Sequence, residues 1–509
     1  MRVRVGNRMS EAFLAEAGVK QGDNLSPLLF GLFIDQVEKF FMDRCGENEG
    51  IRIADNLCRV ILYVDDLAIL SESVVGLQNM LHHLEEFCDK YKMEVNTAKS
   101  AVVIFNNDNK GKVNDKWYFK DKILPIKKEF IYLGVLFVGN HGRNGGTHEA
   151  GEKQLATANR ATHALWKRCS EIGLTNANTL SYLYGTLIQP ILNYGCEVWA
   201  TDRLSNINTS YGLVGKCETI HTKFLKRALG VRVSTSNNLV LNELNRSPSW
   251  TQWLKQCVGF WNKIVIRKND DFVKKALVEN VKMAVIDKNK HCWSHGFLRC
   301  IQRIGVIEHI SDVLIDNNSL LKIDLGMIDD SIAQITDIKW QELESLNPRA
   351  LSDDQGRGIK SITYAKWMRS LEVNNYNTTF TKLLNNHDDI RCIARLRLRA
   401  HNLNVDLERD LPRSSRSCRC CDMIIDSRRA VEDELHFMIE CPLYNNERKE
   451  LFTKLRVEPE CMDKNLQMRI IMNPISFEGW KYLIKFIKKC DAKRNDIISN
   501  VAQTWIPVA

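Results

Sequence analysis

The sequence predicts an α+β protein. An antiparallel sheet with packed helices comes first, then a mainly α-helical region, then a small zinc-binding C-terminal module. Three observations carry that prediction. Short aliphatic and β-branched runs flank an acidic pair, Asp65 and Asp66, in the stretch RVILYVDDLAILS. After a glycine-rich break at 139–152, apolar residues recur at helical spacing to about residue 390. Finally, Cys418, Cys421, His436 and Cys441 follow one another as C-x2-C-x14-H-x4-C, three thiols and an imidazole of the kind that holds tetrahedral zinc.

Composition narrows the class. Apolar residues make up 44% and charged residues 26% of 509, ordinary globular usage rather than that of a disordered chain. A net charge of +9 is small for this length, so any polyanion would have to be met by local patches. Sixteen cysteines in so long a chain need not be a disulfide framework, and a reducing compartment is expected. No apolar run reaches the ~18 residues of a membrane span. Glu11 and Glu16 fall where a secretory leader needs an apolar core. The expected location is intracellular, nuclear or cytoplasmic, with no membrane partner.

Taken in order, MRVRV reads as a strand. The turn at Gly22 leads to Ser26–Pro27, with Ser as cap and Pro at the first helical position. Leu28, Leu29, Leu32, Phe33, Val37 and Phe40 then mark one core face. The loop Gln21–Asn24 lies at that helix's N-terminus, which favours anions such as a triphosphate. The Asp65–Asp66 pair belongs to a tight hairpin. Two adjacent carboxylates raise each other's pKa, a cost that a divalent cation such as Mg²⁺ removes. A second helix carries Leu77, Met80, Leu81, Leu84, Phe87 and Tyr91. Residues 101–105 read as a strand just after Lys99, and FIYLGVLFV, 130–138, as another with a central glycine.

The order QG-x3-SPLLF, Y-x-DD, N-x2-K and YLG, over about 115 residues, closely resembles the palm of reverse transcriptases of non-LTR (LINE-type) retrotransposons. The resemblance implies that Asp65 and Asp66 hold two catalytic Mg²⁺ ions, with Tyr63 beside them. It implies that Gln21, Gly22, Ser26 and Pro27 line the incoming nucleotide and template, and that Lys99 protonates the leaving pyrophosphate. Tyr132, Leu133 and Gly134 would grip the primer end. Nucleotidyl transfer by two metals needs further carboxylates. In this family another Asp and the fingers precede the QG loop. The chain begins 20 residues before that loop, so an N-terminally truncated element with an incomplete metal site, inactive alone, is expected.

Beyond the break, KCETIHTKFLKRALGV predicts a helix with Ile220, Phe224, Leu225 and Leu229 inward. Lys216, Lys223, Lys226 and Arg227 form its other, basic face, as in the family's thumb. Arg391, Arg395 and Arg399 recur every fourth residue beside an apolar face. From 391 to 429, ten Arg face five Asp or Glu, the most basic patch of the chain. Cys420 leaves open which of Cys418, Cys420 and Cys421 are ligands. VEDELHFMIECPLY resembles the C-terminal region of the same family, which binds RNA or target DNA. The expected divisions are a palm at 1–140, a thumb-like region at 141–250, a helical connection at 251–390, the basic zinc module at 391–460 and a helical tail at 461–509. The expected partners are an RNA template, a DNA primer or target and dNTPs. The alternative is a non-catalytic RNA- or DNA-binding relic.

Overall fold

In a computed structural model, short hairpins and two helices share one apolar core near the N-terminus, and helices dominate the rest. The structure describes residues 2–14, 18–20, 22–105, 115–139, 147–204, 212–316, 318–349, 359–369, 380–408, 410–424 and 430–504. By its contacts the chain divides into two compact units. One comprises 1–149, 264–294 and 314–321; the other comprises 150–263, 295–313 and 322–509. The first division falls within the glycine-rich segment. The blocks expected to separate at 390 and 460 share one unit.

In the first unit, the expected single sheet is instead five two-stranded antiparallel pairs among the described residues. They are β1 (Arg4–Val5) with β2 (Arg8–Met9), β3 (Ile51–Ile53) with β4 (Asn56–Cys58), β5 (Val60–Tyr63) with β6 (Asp66–Ile69), β7 (Trp117–Phe119) with β8 (Lys122–Leu124), and β9 (Glu129–Tyr132) with β10 (Val135–Val138). Each strand has two to four residues and pairs only with its neighbour in sequence. The stretch 130–138 is therefore not one strand. Leu133 and Gly134 both have positive φ, the pattern of a two-residue type I′ turn, and glycine supplies it without strain at the second position. Residues 101–105 form only an isolated bridge, Val102 with Ile126.

Helices α1 (Ser26–Ile34) and α2 (Gln36–Arg44) meet at Asp35, and α3 (Val74–Tyr91) follows the β5–β6 hairpin. Ser73 caps α3 by accepting from Gly76 N at 3.0 Å. The core gathers Val37, Phe40 and Phe41 of α2, Met80, Leu84 and Phe87 of α3, and Trp117, Phe119 and Leu124 of β7–β8. The α1 expectation fails on two counts. Leu25 is the cap residue and makes no side-chain cap bond, while the Ser26 hydroxyl donates to Lys20 O at 2.6 Å. Leu28, Leu29 and Leu32 are exposed, because α1 turns Phe30 and Ile34 to the core instead.

The second unit is helical. Its principal members here are α4 (Gly212–Ala228), α5 (Ser249–Val265), α6 (His387–Arg397), α7 (Asn445–Leu455) and α8 (Phe477–Thr504). Trp199, Trp253, Trp261 and Trp367 are fully buried anchors. Helix α8 packs on α6, on α7 and on the short helix Arg419–Ile424. The 177–193 helix passes through a π-turn at Tyr184–Ile188, just before Pro190 withdraws a backbone donor. Lys226 is not on the exposed face of α4: it is buried, and its ammonium donates to Val233 O at 2.8 Å. No helix among the described residues is long and apolar enough to cross a membrane.

Candidate functional site

The β5–β6 register decides which side chains face outward. Val60 pairs with Ile69 and Leu62 with Leu67, and these four pack on the core of the first unit. Because side chains alternate along a strand, Ile61, Tyr63 and Asp66 take the opposite face. Tyr63 and Asp66 are direct cross-strand partners, and Tyr63 is 59% exposed. Asp65 lies in the two-residue turn, so the two carboxylates are presented from an exposed tip. Val64, the other turn residue, has φ of +55°. A β-branched residue pays about 1–2 kcal/mol for that conformation. Val64→Gly is expected to relieve this strain and slow hydrogen exchange at the Ile61 and Ala68 amides, which face each other across the ladder, a gain of about 1 kcal/mol after glycine's own entropy cost.

One further expected residue, Tyr132, lies within electrostatic reach of Asp66. Burial first, and the Asp66 charge second, push the Tyr132 phenol above its ordinary value. The Tyr132 hydroxyl is buried without a hydrogen-bond partner. A buried donor left unpaired costs about 1–3 kcal/mol. The β9–β10 turn, Leu133–Gly134, follows directly. The other expected residues lie on separate turns and on α1. Lys99 is exposed on a turn, its amide held by Asn96 O at 3.0 Å. Gly22, with φ of +86°, lies in the exposed turn before α1, as does Asp23, whose Oδ1 accepts from Leu25 N at 2.9 Å; Pro27 occupies the first turn of the helix. No hydrogen bond or ion pair joins these residues to the hairpin among the described residues. Gln21 lies outside the described residues.

The second site is in the other unit. Cys418, Cys421, His436 and Cys441 are all buried, and their ligand atoms lie within 4.8 Å of one another. Cys421 Sγ is 3.4 Å from His436 Nε2 and 3.7 Å from Cys441 Sγ. Cys420 is outside this set, and the neighbouring Cys418 sulfur, then burial, push its thiol up. Cys418 is driven the other way, chiefly by the neighbouring Cys420 and Cys441. His436 Nδ1 is buried without a hydrogen-bond partner, 3.9 Å from Glu440 Oε2. A metal-bound histidine commonly turns its second nitrogen toward a carboxylate in this way. The residues therefore fit a zinc ion, with Glu440 behind the histidine.

What sequence reasoning missed is the frame around this cluster. Glu432, Asp433 and Glu434 are each at most 2% exposed, and each is held by a different arginine. Arg494 spans both oxygens of Glu432, each at 2.7 Å. Arg349 spans Asp433 at 2.8 and 2.7 Å, and Arg413 adds a bond at 3.2 Å. Arg399 Nε is 2.7 Å from Glu434 Oε1, an ion pair off the hydrogen-bond line, and His401 bonds the same oxygen at 2.9 Å. Asp433 Oδ1 also accepts from His436 N, which ties the frame to the cluster. Arg399 is thus not an exposed nucleic-acid contact. It follows the end of α6 with φ of +51° and is 3% exposed. Three successive acids inside an arginine-rich stretch were the signal for this frame.

A smaller convergence in the first unit, Cys45, Glu49 and His83, is knit by hydrogen bonds. Glu49 accepts from Gly46 N at 3.1 Å and Asn79 at 2.8 Å. Burial and the Glu49 carboxylate push the Cys45 thiol up to about 12, so it is a neutral donor there.

Residues 2–137 match the family described as reverse transcriptase (RNA-dependent DNA polymerase). Over 135 residues, 25% of the chain, it is 30% identical to the Pol polyprotein of the type-2 retrotransposable element R2DM of Drosophila melanogaster, covering 12% of that protein. Over 234 residues, 44% of the chain, it is 25% identical to the RNA-directed DNA polymerase of mobile element jockey of Drosophila funebris, covering 23% of it. A probable RNA-directed DNA polymerase of transposon X-element of Drosophila melanogaster is 24% identical over 220 residues, 43% of the chain and 23% of that protein. The matches thus span a quarter or less of each of these relatives.

Proposed function

We propose, for a chain that is a retrotransposon-derived reverse transcriptase domain protein of the non-LTR kind, that the Asp65–Asp66 hairpin is the metal-holding part of a nucleotidyl-transfer site. The supporting observation is the cross-strand pairing of Asp66 with Tyr63 at an exposed tip, with the buried, unpartnered hydroxyl of Tyr132 within electrostatic reach of Asp66. Asp65 and Asp66 would hold Mg²⁺, which would activate a primer 3′-hydroxyl and steady the leaving oxygen of a dNTP. Tyr132 would set the primer end, and Lys99 would supply a proton to pyrophosphate. In the other unit, the four-ligand cluster would hold Zn²⁺ and keep an RNA- or DNA-binding surface in shape.

One observation favours a second reading, a nucleic-acid binder without polymerase activity. Among the described residues, the groups that join three or more metal-ligating side chains do not include Asp65 or Asp66. Primer extension on poly(rA)/oligo(dT) with Mg²⁺ separates the readings. Under the first, wild type incorporates dTTP and Asp65→Ala or Asp66→Ala lowers the rate at least 100-fold, since loss of a metal ligand removes several kcal/mol of transition-state stabilisation. No incorporation by a protein that still binds the hybrid selects the second.

A further inference from the structure

The arginines of α6 and the residues after it divide into two kinds. Arg397 and Arg399 are buried and matched by carboxylates. Arg397 reaches Glu243 at 2.8 Å and Met368 O at 2.6 Å, and Arg399 reaches Glu434 and Asp406. Arg391 and Arg395 are half-buried, one turn apart on the same face of α6, and among the described residues neither has an ion pair. A third arginine, Arg232, lies two residues beyond Gly230, on which both others rest, and its charge reaches Arg395. Its neighbours are neutral acceptors, Asn402 Oδ1 at 2.7 Å and His401 O at 3.1 Å.

Arg391 and Arg395 both rest on Gly230. Arg395 Nε donates to Gly230 O at 3.2 Å. The stem of Arg391 lies on Gly230, where a Cβ would come within 2.9 Å of its Cγ. Gly230 has φ of +65° and closes the C-terminal turn of α4, with Val231 N bonded to Lys226 O at 3.0 Å. Arg391 Nε is buried and has no hydrogen-bond partner. Burial, and then the charges of Arg391 and Arg232, push the Arg395 guanidinium down, the mark of like charges held together. The negative end of α4 accounts for one cation at Gly230 O, not for three.

We propose that Arg232, Arg391 and Arg395 form a notch that binds a phosphate group. An anion would relieve the crowding of like charges and fill donors the protein leaves open, and the planar forks of arginine suit phosphate oxygens. The notch deepens the nucleic-acid-binding part of the function proposed above, and rests on it for the source of the phosphate, a backbone phosphodiester rather than a free anion. It adds Arg232, which lies outside the basic stretch legible in sequence. It also removes Arg399 from that surface.

The test uses the full chain, a 20-base-pair RNA–DNA hybrid and, separately, sodium pyrophosphate. The variant is R232Q/R391Q/R395Q; K481Q/K485Q/K489Q, on the exposed side of α8, removes the same charge elsewhere. The notch variant is expected to bind the hybrid about tenfold more weakly at 100 mM salt. Its slope of log affinity against log salt should fall by about one, the loss of one phosphate contact. Equal effects in both variants would overturn the proposal. If wild type holds no hybrid, the nucleic-acid reading fails, and pyrophosphate decides the notch by phosphorus NMR. Broadening by wild type but not by the notch variant supports a free-anion site; equal spectra overturn it. Should the triple variant not fold, R391Q alone carries the same comparison, because its side chain is half-exposed.

Discussion

Cys441→Ser is expected to release one equivalent of zinc and to loosen the fold around it, whereas Cys420→Ser should release none. The two thiols are both buried, but only Cys441 shares the 4.8 Å cluster with Cys418, Cys421 and His436. A structural zinc site contributes about 10–16 kcal/mol of apparent folding free energy in small zinc-finger peptides. Here the loss is expected to be smaller, because the same segment is also held by Arg494, Arg349 and Arg413 and by packing on α8. A drop of several kcal/mol is still the largest single-residue effect to be expected in this chain. Metal content by atomic spectroscopy and thermal melts with and without chelator read it. One retained equivalent of zinc in Cys441→Ser would remove the assignment, as would equal losses in both variants. Glu440→Gln should weaken metal affinity about tenfold or more without abolishing it, as second-layer carboxylates do.

Much of both sites was legible because it is local. A carboxylate pair between two β-branched runs signals a tight hairpin but not its register: the turn is Val64–Asp65 rather than the Asp pair itself, and Asp66 already pairs with Tyr63 in the second strand. Helix α3 was legible for the same reason, since Met80, Leu81, Leu84 and Phe87 repeat at its period. The Cys418–Cys421–His436–Cys441 cluster was legible from spacing alone, but the exclusion of Cys420 was not, because C-x-C-C places three thiols within one turn. What sequence could not give is the partner of each charge. Ten arginines in 39 residues read as an exposed basic surface. In the fold, Arg397, Arg399 and Arg413 turn inward to carboxylates that lie up to 154 residues away in sequence, as Arg397 to Glu243 does. The opposite error was made at α1, where leucines at helical spacing lie exposed. Periodicity identifies an apolar face, not what covers it.

Arg494→Met is expected to cost about 3–5 kcal/mol, close to the loss from breaking any fully desolvated ion pair, because it strands Glu432. That carboxylate is 2% exposed, and Arg494 supplies both of its charged hydrogen bonds. Besides these it accepts from the neutral Asn404 N at 2.8 Å and, more distantly, lies 3.9 Å from Cys418 Sγ. Removing both charges in Glu432→Leu/Arg494→Met should be milder than the sum of the single changes, since no buried charge is left unpaired. It should not be neutral. Asn404 loses the acceptor of its amide, about 1–3 kcal/mol. Urea unfolding of the four proteins of this cycle at pH 7 measures both terms, and an additive cycle would mean that the pair is not desolvated. Acid should act on the neighbouring carboxylate in the same direction. Burial alone would lift Glu434, but the charges of Arg399 and His401 overturn it and hold the carboxyl well below its usual range. The unfolded chain then binds a proton that the folded chain refuses. Stability from Glu434 is thus fully present above the unfolded value, about 4.5, and drains away as pH falls below it. Glu434→Gln should flatten that acid limb while lowering stability at pH 7. A titration of stability that keeps its full acid slope in Glu434→Gln would assign the effect to other carboxylates of the frame.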